Sequence, residues 1–149
     1  MLKRESRWTL PQGVCLIMTR PDGQVLLHRR CRRARLYPGR WAFFGGGVEE
    51  GEVPIDAIAR EVREETGMHS LLFTELWATV HHKPYLTVCD HSFFAMYDGQ
   101  EIVLAEGERY GWFRINEALV QCGLPPHEAS DLCRFRRVGM LKAELLRAS

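Results

Sequence analysis

The stretch GGVEEGEVPIDAIAREVREETGM, Gly46 to Met68, decides how this chain is read. Its second half predicts a helix from Pro54 to Thr66. Pro54 suits the first helical position, where its missing N–H costs nothing, and Gly67 suits the position just past the end. Val53 is a poor N-cap, since it offers no side-chain oxygen to an orphan N–H. Asp56, in the first turn, offsets part of that loss through its charge. Each helical residue turns by about 100°, so with Glu61 at 0° Glu65 falls at roughly 40° and Glu64 at roughly 300°. These three carboxylates share one arc. Ile55, Ile58, Ala59, Val62 and Thr66 fall between roughly 60° and 160°, an apolar stripe suited to a sheet. Asp56, Arg60 and Arg63 cover the side at roughly 200° to 260°. The helix therefore has a core face, a solvent face and a face of clustered acids.

Acids at i, i+3 and i+4 repel one another by a few tenths of a kcal/mol per exposed pair. A hard divalent cation reverses that sign, and Mg²⁺ takes oxygen ligands while bridging to phosphates. Taken alone, the three glutamates fit a solvated acidic face equally well. The surroundings shift the balance. Gly46 stands six residues before Glu52, and Glu52 eight before Arg60. The run fits G-x5-E-x7-R-E-U-x-E-E-x-G-U, where U is bulky and aliphatic, with Val62 and Met68 in the U positions. At every defined position it resembles the Nudix box.

That resemblance implies an α/β fold, an α/β/α sandwich with a mixed sheet, and a single Nudix hydrolase domain over residues 1–149. It implies hydrolysis of a nucleoside diphosphate linked to another moiety, by metal-assisted displacement with water at phosphorus. The implied cofactor is Mg²⁺, with Mn²⁺ as a substitute. Glu61, Glu64 and Glu65 are the implied metal ligands. One of them, or another nearby carboxylate, assists deprotonation of the water; family members differ in which, so the base stays open. Arg60 is expected to pair with Glu52 and orient it. Gly46 and Gly47 allow close backbone approach to the phosphates.

The resemblance continues outside the box. Leu26 to Arg30 is similar to the family's LLxxR strand, where Arg30 either contacts phosphate or base or ends the strand in solvent. Trp41 to Gly46 resembles W-x-F-P-G-G, with Phe44 in place of proline; Phe43 either stacks on a base or packs in the core. Glu106-Gly107-Glu108, before Trp112, resembles an acidic loop that supplies a further metal ligand, and its spacing favours Glu106 over Glu108. Leu124-Pro125-Pro126-His127-Glu128 resembles a segment that reads the purine in MutT-like members. The asparagine expected there is absent and Glu128 stands near its place, which puts oxidised-guanine specificity in doubt.

The bulk properties agree with this frame. The 149 residues suffice for one domain, and 46% hydrophobic content argues against disorder. A formal net charge of +1 gives no sign of a nucleic-acid-coating or membrane-surface protein, so no long nucleic acid and no membrane is expected as partner. Basic residues crowd Arg29 to Arg40 while acids crowd Glu49 to Glu65, a division suited to an anionic substrate and a cation. The five cysteines are scattered with no CxxC pair, which predicts reduced thiols. The N-terminus is too polar for a signal peptide, so a cytoplasmic location is expected by default. Many family members form homodimers.

Along the chain, strands are predicted at Val14 to Met18 and Gln24 to Arg30, as a hairpin about Pro21-Asp22-Gly23. A polar loop follows to Arg40, then a short aromatic strand, Trp41 to Phe44. Further strands are expected at Leu71 to Val80, Leu86 to Tyr97 and Tyr110 to Phe113. Asn116 is placed to cap a small helix from Glu117 to Gln121, and a longer helix over about His127 to Arg147 is expected to bend near Gly139. His81 and His82 project to opposite faces of a strand and cannot easily share a metal, so a partly exposed turn is the expectation there. Two competing functions stay open: hydrolysis of a non-nucleotide pyrophosphate, which the basic stretch keeps alive, and a regulatory module that binds ligand without turnover.

Overall fold

The computed structural model describes residues 10–105 and 109–148, and the side chains among them as far as residue 139. Strand β1 (Gln12–Thr19) is the spine of the sheet. It pairs in parallel with β6 (Thr87–Met96) on one side. On the other side it pairs antiparallel with β4 (Phe44–Gly47) and, at Thr19, with β2 (Val25–Arg29). Strand β5 (Thr74–His82) pairs with β6, while β3 (Trp41–Ala42) and β7 (Arg109–Phe113) pair with β2. The sheet is therefore mixed. Three helices complete the described chain: α1 (Pro54–Thr66), α2 (Ile115–Gln121) and α3 (Pro126–Ala148).

Strand periodicity separates two cores. Val14, Leu16 and Met18 of β1 and Leu26 of β2 face Ala57, Ile58 and Val62 of α1. Ile17, Val25 and Leu27 face the opposite way, toward Ala118 of α2 and Leu132 of α3. Alternate side chains of a strand project to opposite faces, so a sheet this apolar on both sides must be covered on both. The result is the expected α/β/α sandwich.

The predicted helix Pro54–Thr66 forms with those limits. Val53 is its N-cap without a side-chain bond, and Gly67 closes it at φ 75°, its N–H donating to the Arg63 carbonyl at 2.9 Å. Its buried arc differs from the expectation. Ile55 stays 48% exposed, whereas Ala57 is fully buried beside Ile58, Val62 and Thr66. On the same wheel Ala57 lies at roughly 320° and Thr66 at roughly 140°, so the packed face brackets Glu61 instead of ending short of it.

Other differences are local. Residues 71–73 precede the strand, which begins at Thr74; Leu71 and Phe73 pack on the α1 core from a loop. His81 and His82 end β5 rather than forming a turn, and the break falls after them. His81 turns inward and His82 outward, as alternation requires. Asn116 does not cap α2: Arg114 is the N-cap, and Asn116 lies inside the helix, accepting a bond from Arg136 Nη1 at 2.8 Å. Helix α3 runs as one element through Gly139. The aromatic strand is split at Phe43, because the chain changes partner there: Trp41–Ala42 pairs with β2 and Phe44–Gly47 with β1.

Candidate active site

The box begins on β4 and ends on α1, and Arg60 ties the two together. Its Nε and Nη2 donate to the two oxygens of Glu52 at 2.8 and 2.9 Å. Nη2 also donates to the Gly47 carbonyl at 2.9 Å. Nη1 donates to Glu61 Oε1 at 2.9 Å and Glu64 Oε2 at 3.3 Å. Glu52 receives a further bond from the Glu49 N–H at 3.1 Å. The Arg60 guanidinium and that backbone donor hold the Glu52 carboxyl down at about 2, and Glu52 in turn raises the Arg60 pKa. Arg60 thus braces the loop against the helix.

Glu61 sits within the helix–sheet interface because Gly46 has no side chain. A methyl built on Gly46 would run into the Glu61 carboxyl, and one on Gly45 into the backbone of Val14 and Cys15. A methyl on Gly47 would meet nothing. These glycines therefore differ in purpose: Gly45 lets β4 approach β1, Gly46 makes room for Glu61, and Gly47 leaves an open surface. Glu64 is 57% exposed, and Glu65 is half-buried on the same arc.

A cleft of about 450 Å³ lies beside the box. It brings Arg30 together with Phe43, Gly46 and Gly47 of the segment that follows. Arg30 is held by its Nε, which donates to the Leu36 carbonyl at 2.8 Å. Phe43 is 4% exposed and belongs to the core on the α3 side while also forming cleft wall. A larger depression, about 660 Å³, lies between Asp22–Gln24 and Arg114–Glu117 and shares no residue with the box.

On one wall of the cleft, sequence reasoning marks His127 and Glu128 but misses Lys83 and Asp90. Lys83, Asp90, His127 and Glu128 line it. Lys83 Nζ lies 2.9 Å from Asp90 Oδ2, and the Phe43 N–H donates to Glu128 Oε1 at 2.5 Å. Burial pushes Glu128 up to about 8 against the pull of the Phe43 N–H, and burial together with Lys83 lowers His127 to about 4. At neutral pH the 3.7 Å approach of His127 Nε2 to Glu128 Oε2 is therefore no ion pair. Behind it, Asp131 accepts from Ser92 Oγ at 3.1 Å and Trp77 Nε1 at 3.2 Å. One signal was available in the sequence: Asp90 is the lone acid in the strand TVCDHSFFAM.

The structure also tests how the acids would take a cation. Glu61 and Glu64 already share one positively charged atom, Arg60 Nη1. Their oxygens are the donors that a hard divalent ion prefers. Among the described residues no three acids, histidines or cysteines stand ready to hold an ion. The donor chemistry of these oxygens fits Mg²⁺. Glu106 and Glu108 lie outside the described residues. Ala105, just before them, donates its N–H to the Glu65 carbonyl at 3.0 Å.

A carboxylate-bearing loop and helix, braced by one arginine beside a cleft on a mixed sheet, define an α/β protein with a clustered-acid site. The comparisons narrow the class: the NUDIX domain family matches residues 9–133, and the chain belongs to that family. It is similar to a MutT protein from Methanosarcina mazei Go1, with TM-score 0.79, 26% identity and coverage of 87% of this chain and 94% of that one. A MutT NUDIX hydrolase from Burkholderia pseudomallei gives TM-score 0.72 at 26% identity, covering 82% and 95%. Nucleoside triphosphatase NudI of Escherichia coli O139:H28 is 47% identical over 55 residues, 37% of this chain. That match spans 38% of the relative's own length. Among the described residues no helix is long and apolar enough to cross a membrane.

Proposed function

We propose that this chain is a Mg²⁺-dependent pyrophosphohydrolase that cleaves a nucleoside diphosphate linked to another moiety, by attack of water at phosphorus. The supporting observation is the position of Glu61: its carboxylate lies against Gly46 at the cleft, within reach of Arg60 Nη1 and next to Glu64. A bound divalent ion would neutralise phosphate oxygens and help water lose its proton. Glu61, Glu64 and Glu65 would hold it. Glu52 has both oxygens engaged by Arg60 and the Glu49 N–H, so it positions the loop rather than moving a proton. Arg30, anchored by Leu36, brings a cation to the same cleft for the phosphate chain. The open face at Gly47 admits the phosphates close to the backbone.

The experiment is a phosphate-release screen with Mg²⁺ or Mn²⁺ over nucleoside triphosphates, sugar nucleotides, dinucleotides and non-nucleotide pyrophosphates. The triphosphatase name of the NudI relatives puts nucleoside triphosphates first in the screen. Turnover of at least one nucleotide is expected. Turnover confined to non-nucleotide pyrophosphates would replace the substrate class, and binding without turnover would make the chain a regulatory module.

A further inference from the structure

One acid of the cleft stands apart from the box. Asp90 is 4% exposed and is the lone acid of β6. It pairs in register with Gly13 of β1, and Gly13 pairs on its other side with Gly47 of β4. Residues opposite one another project to the same face of a sheet. A methyl built on Gly13 would run into Asp90 Oδ1, so the missing side chain lets the carboxylate lean over β1. That brings it within about one strand spacing, roughly 5 Å, of the open face at Gly47. Lys83 closes over it from the turn between β5 and β6. Its N–H donates to the Leu86 carbonyl at 2.8 Å, and its Nζ lies 2.9 Å from Asp90 Oδ2. Both side chains are largely buried, and both line the cleft. Among the described residues no further side chain pairs with either. Two N–H donors of the ammonium and Oδ1 of the carboxylate are therefore left for a ligand.

We propose that Lys83 and Asp90 form a diol subsite that selects the ribose of the bound nucleotide. The inference rests on the nucleotide reading of the cleft and adds the class of sugar. Charge decides among the ligands that an ammonium attracts. A phosphate oxygen drawn to Lys83 would also meet the Asp90 carboxylate beside it, and the pair as a whole is neutral. A hydroxyl avoids that conflict, because it both donates and accepts. Of two vicinal hydroxyls, one accepts from Lys83 Nζ while the other donates to Asp90 Oδ1. The position agrees with the chemistry. With phosphates on the Gly47 backbone, the group one linkage along the ligand falls one strand further, at Gly13 and Asp90. A charge pair this deep contributes little to stability, since lost hydration offsets its attraction. Bonds from charged groups to a ligand are the stronger kind, and a sugar without the hydroxyl leaves a buried group unpaired.

The test is equilibrium binding, with Mg²⁺, of the non-hydrolysable α,β-methylene analogues of ATP, GTP, CTP and UTP and of their 2′-deoxy and 3′-deoxy counterparts. For the base that binds tightest, the wild type is expected to hold the ribo form roughly 10- to 100-fold tighter than either deoxy form. The companion variant changes both charges together, Lys83→Met with Asp90→Asn, because removing one strands the other in a buried site. Its ribo affinity is expected to fall to the deoxy level while its affinity for the deoxy forms stays near wild type. Gly13→Ala, whose methyl displaces the Asp90 carboxylate with both charges still present, should lower the ratio in the same direction. A structural pair would weaken all forms alike and leave the ratio unmoved. A wild-type ratio of one or less overturns the subsite, and so does a ratio that survives in both variants. The hexose of a sugar nucleotide offers the same diol chemistry; that source predicts a ratio of one for the triphosphates and so counts against ribose. If no analogue binds, the subsite falls with the nucleotide reading. Binding with a ratio of one removes the subsite alone.

Discussion

Two glutamates, one in the box loop and one on the cleft wall, behave in opposite ways. Glu52, in the box loop, faces a guanidinium and a backbone N–H, and its carboxyl is held down at about 2. Glu128, on the cleft wall, has a single N–H against nearly complete burial and is pushed up to about 8. The side chain is the same, so the difference lies in what surrounds it. Where charged donors converge, desolvation is repaid and the anion persists; where walls are apolar, the neutral acid wins. The box loop thus keeps negative charge beside a cation, while the burial of Glu128 holds its own carboxyl neutral.

The largest expected effect strikes the box. Glu64→Gln and Glu65→Gln should each lower kcat by roughly 10² to 10⁴-fold while thermal unfolding stays near wild type, because neither side chain belongs to the core. Steady-state kinetics with Mg²⁺ checks this, and unchanged rates in both variants would remove the site assignment. Next is Gly46→Ala, whose methyl must displace the Glu61 carboxyl. Overpacking of that kind costs about 1–3 kcal/mol, and turnover should fall with it; Gly47→Ala, with open space around it, should retain wild-type stability. Denaturant titration of the two variants side by side decides whether Gly46 exists for Glu61.

Smaller effects set the two glutamates against each other through pH. The folded pKa of Glu52 is depressed, so its contribution to stability is present above about 4.5 and is lost as pH falls toward about 2. Glu52→Gln should flatten that acid limb of the melting temperature. The folded pKa of Glu128 is raised, so stability is highest below about 4.5 and declines as pH rises toward about 8. Glu128→Gln should therefore melt higher than wild type at alkaline pH, by about 2–5 °C. The smallest effect belongs to His28, stacked on Phe44 at 4.4 Å and lowered by burial to about 4. The unfolded chain takes up this proton first, so stability is lost as pH falls from about 6.5 toward 4, and His28→Phe should be less sensitive over that window. A melting curve for the variant that tracks wild type through this range would discount His28.

The box was legible because its information is local. Helix limits follow from Pro54 and Gly67, and the common arc of Glu61, Glu64 and Glu65 follows from the turn per residue. The same local logic misplaced the edge of the packed face, since Ala57 is buried only because β1 and β4 lie where they do. Asn116 looked like a cap on residue type alone, but the helix starts two residues earlier than expected and the Asn116 amide serves Arg136. Phe43 was readable as either core or cleft wall, and the folded chain makes it both.

By itself, then, the sequence determined the family, the sandwich and the acids of the box, because spacing along one helix and one loop encodes them. The tertiary structure alone decided that Gly46 makes room for Glu61, that Arg30 and Phe43 share a cleft with the box, and that Glu128 is tied to the Phe43 N–H from across the fold. The physical reason is burial. A carboxyl's charge depends on how much water it loses and which donors replace that water, and at Glu128 both come from segments distant in the chain.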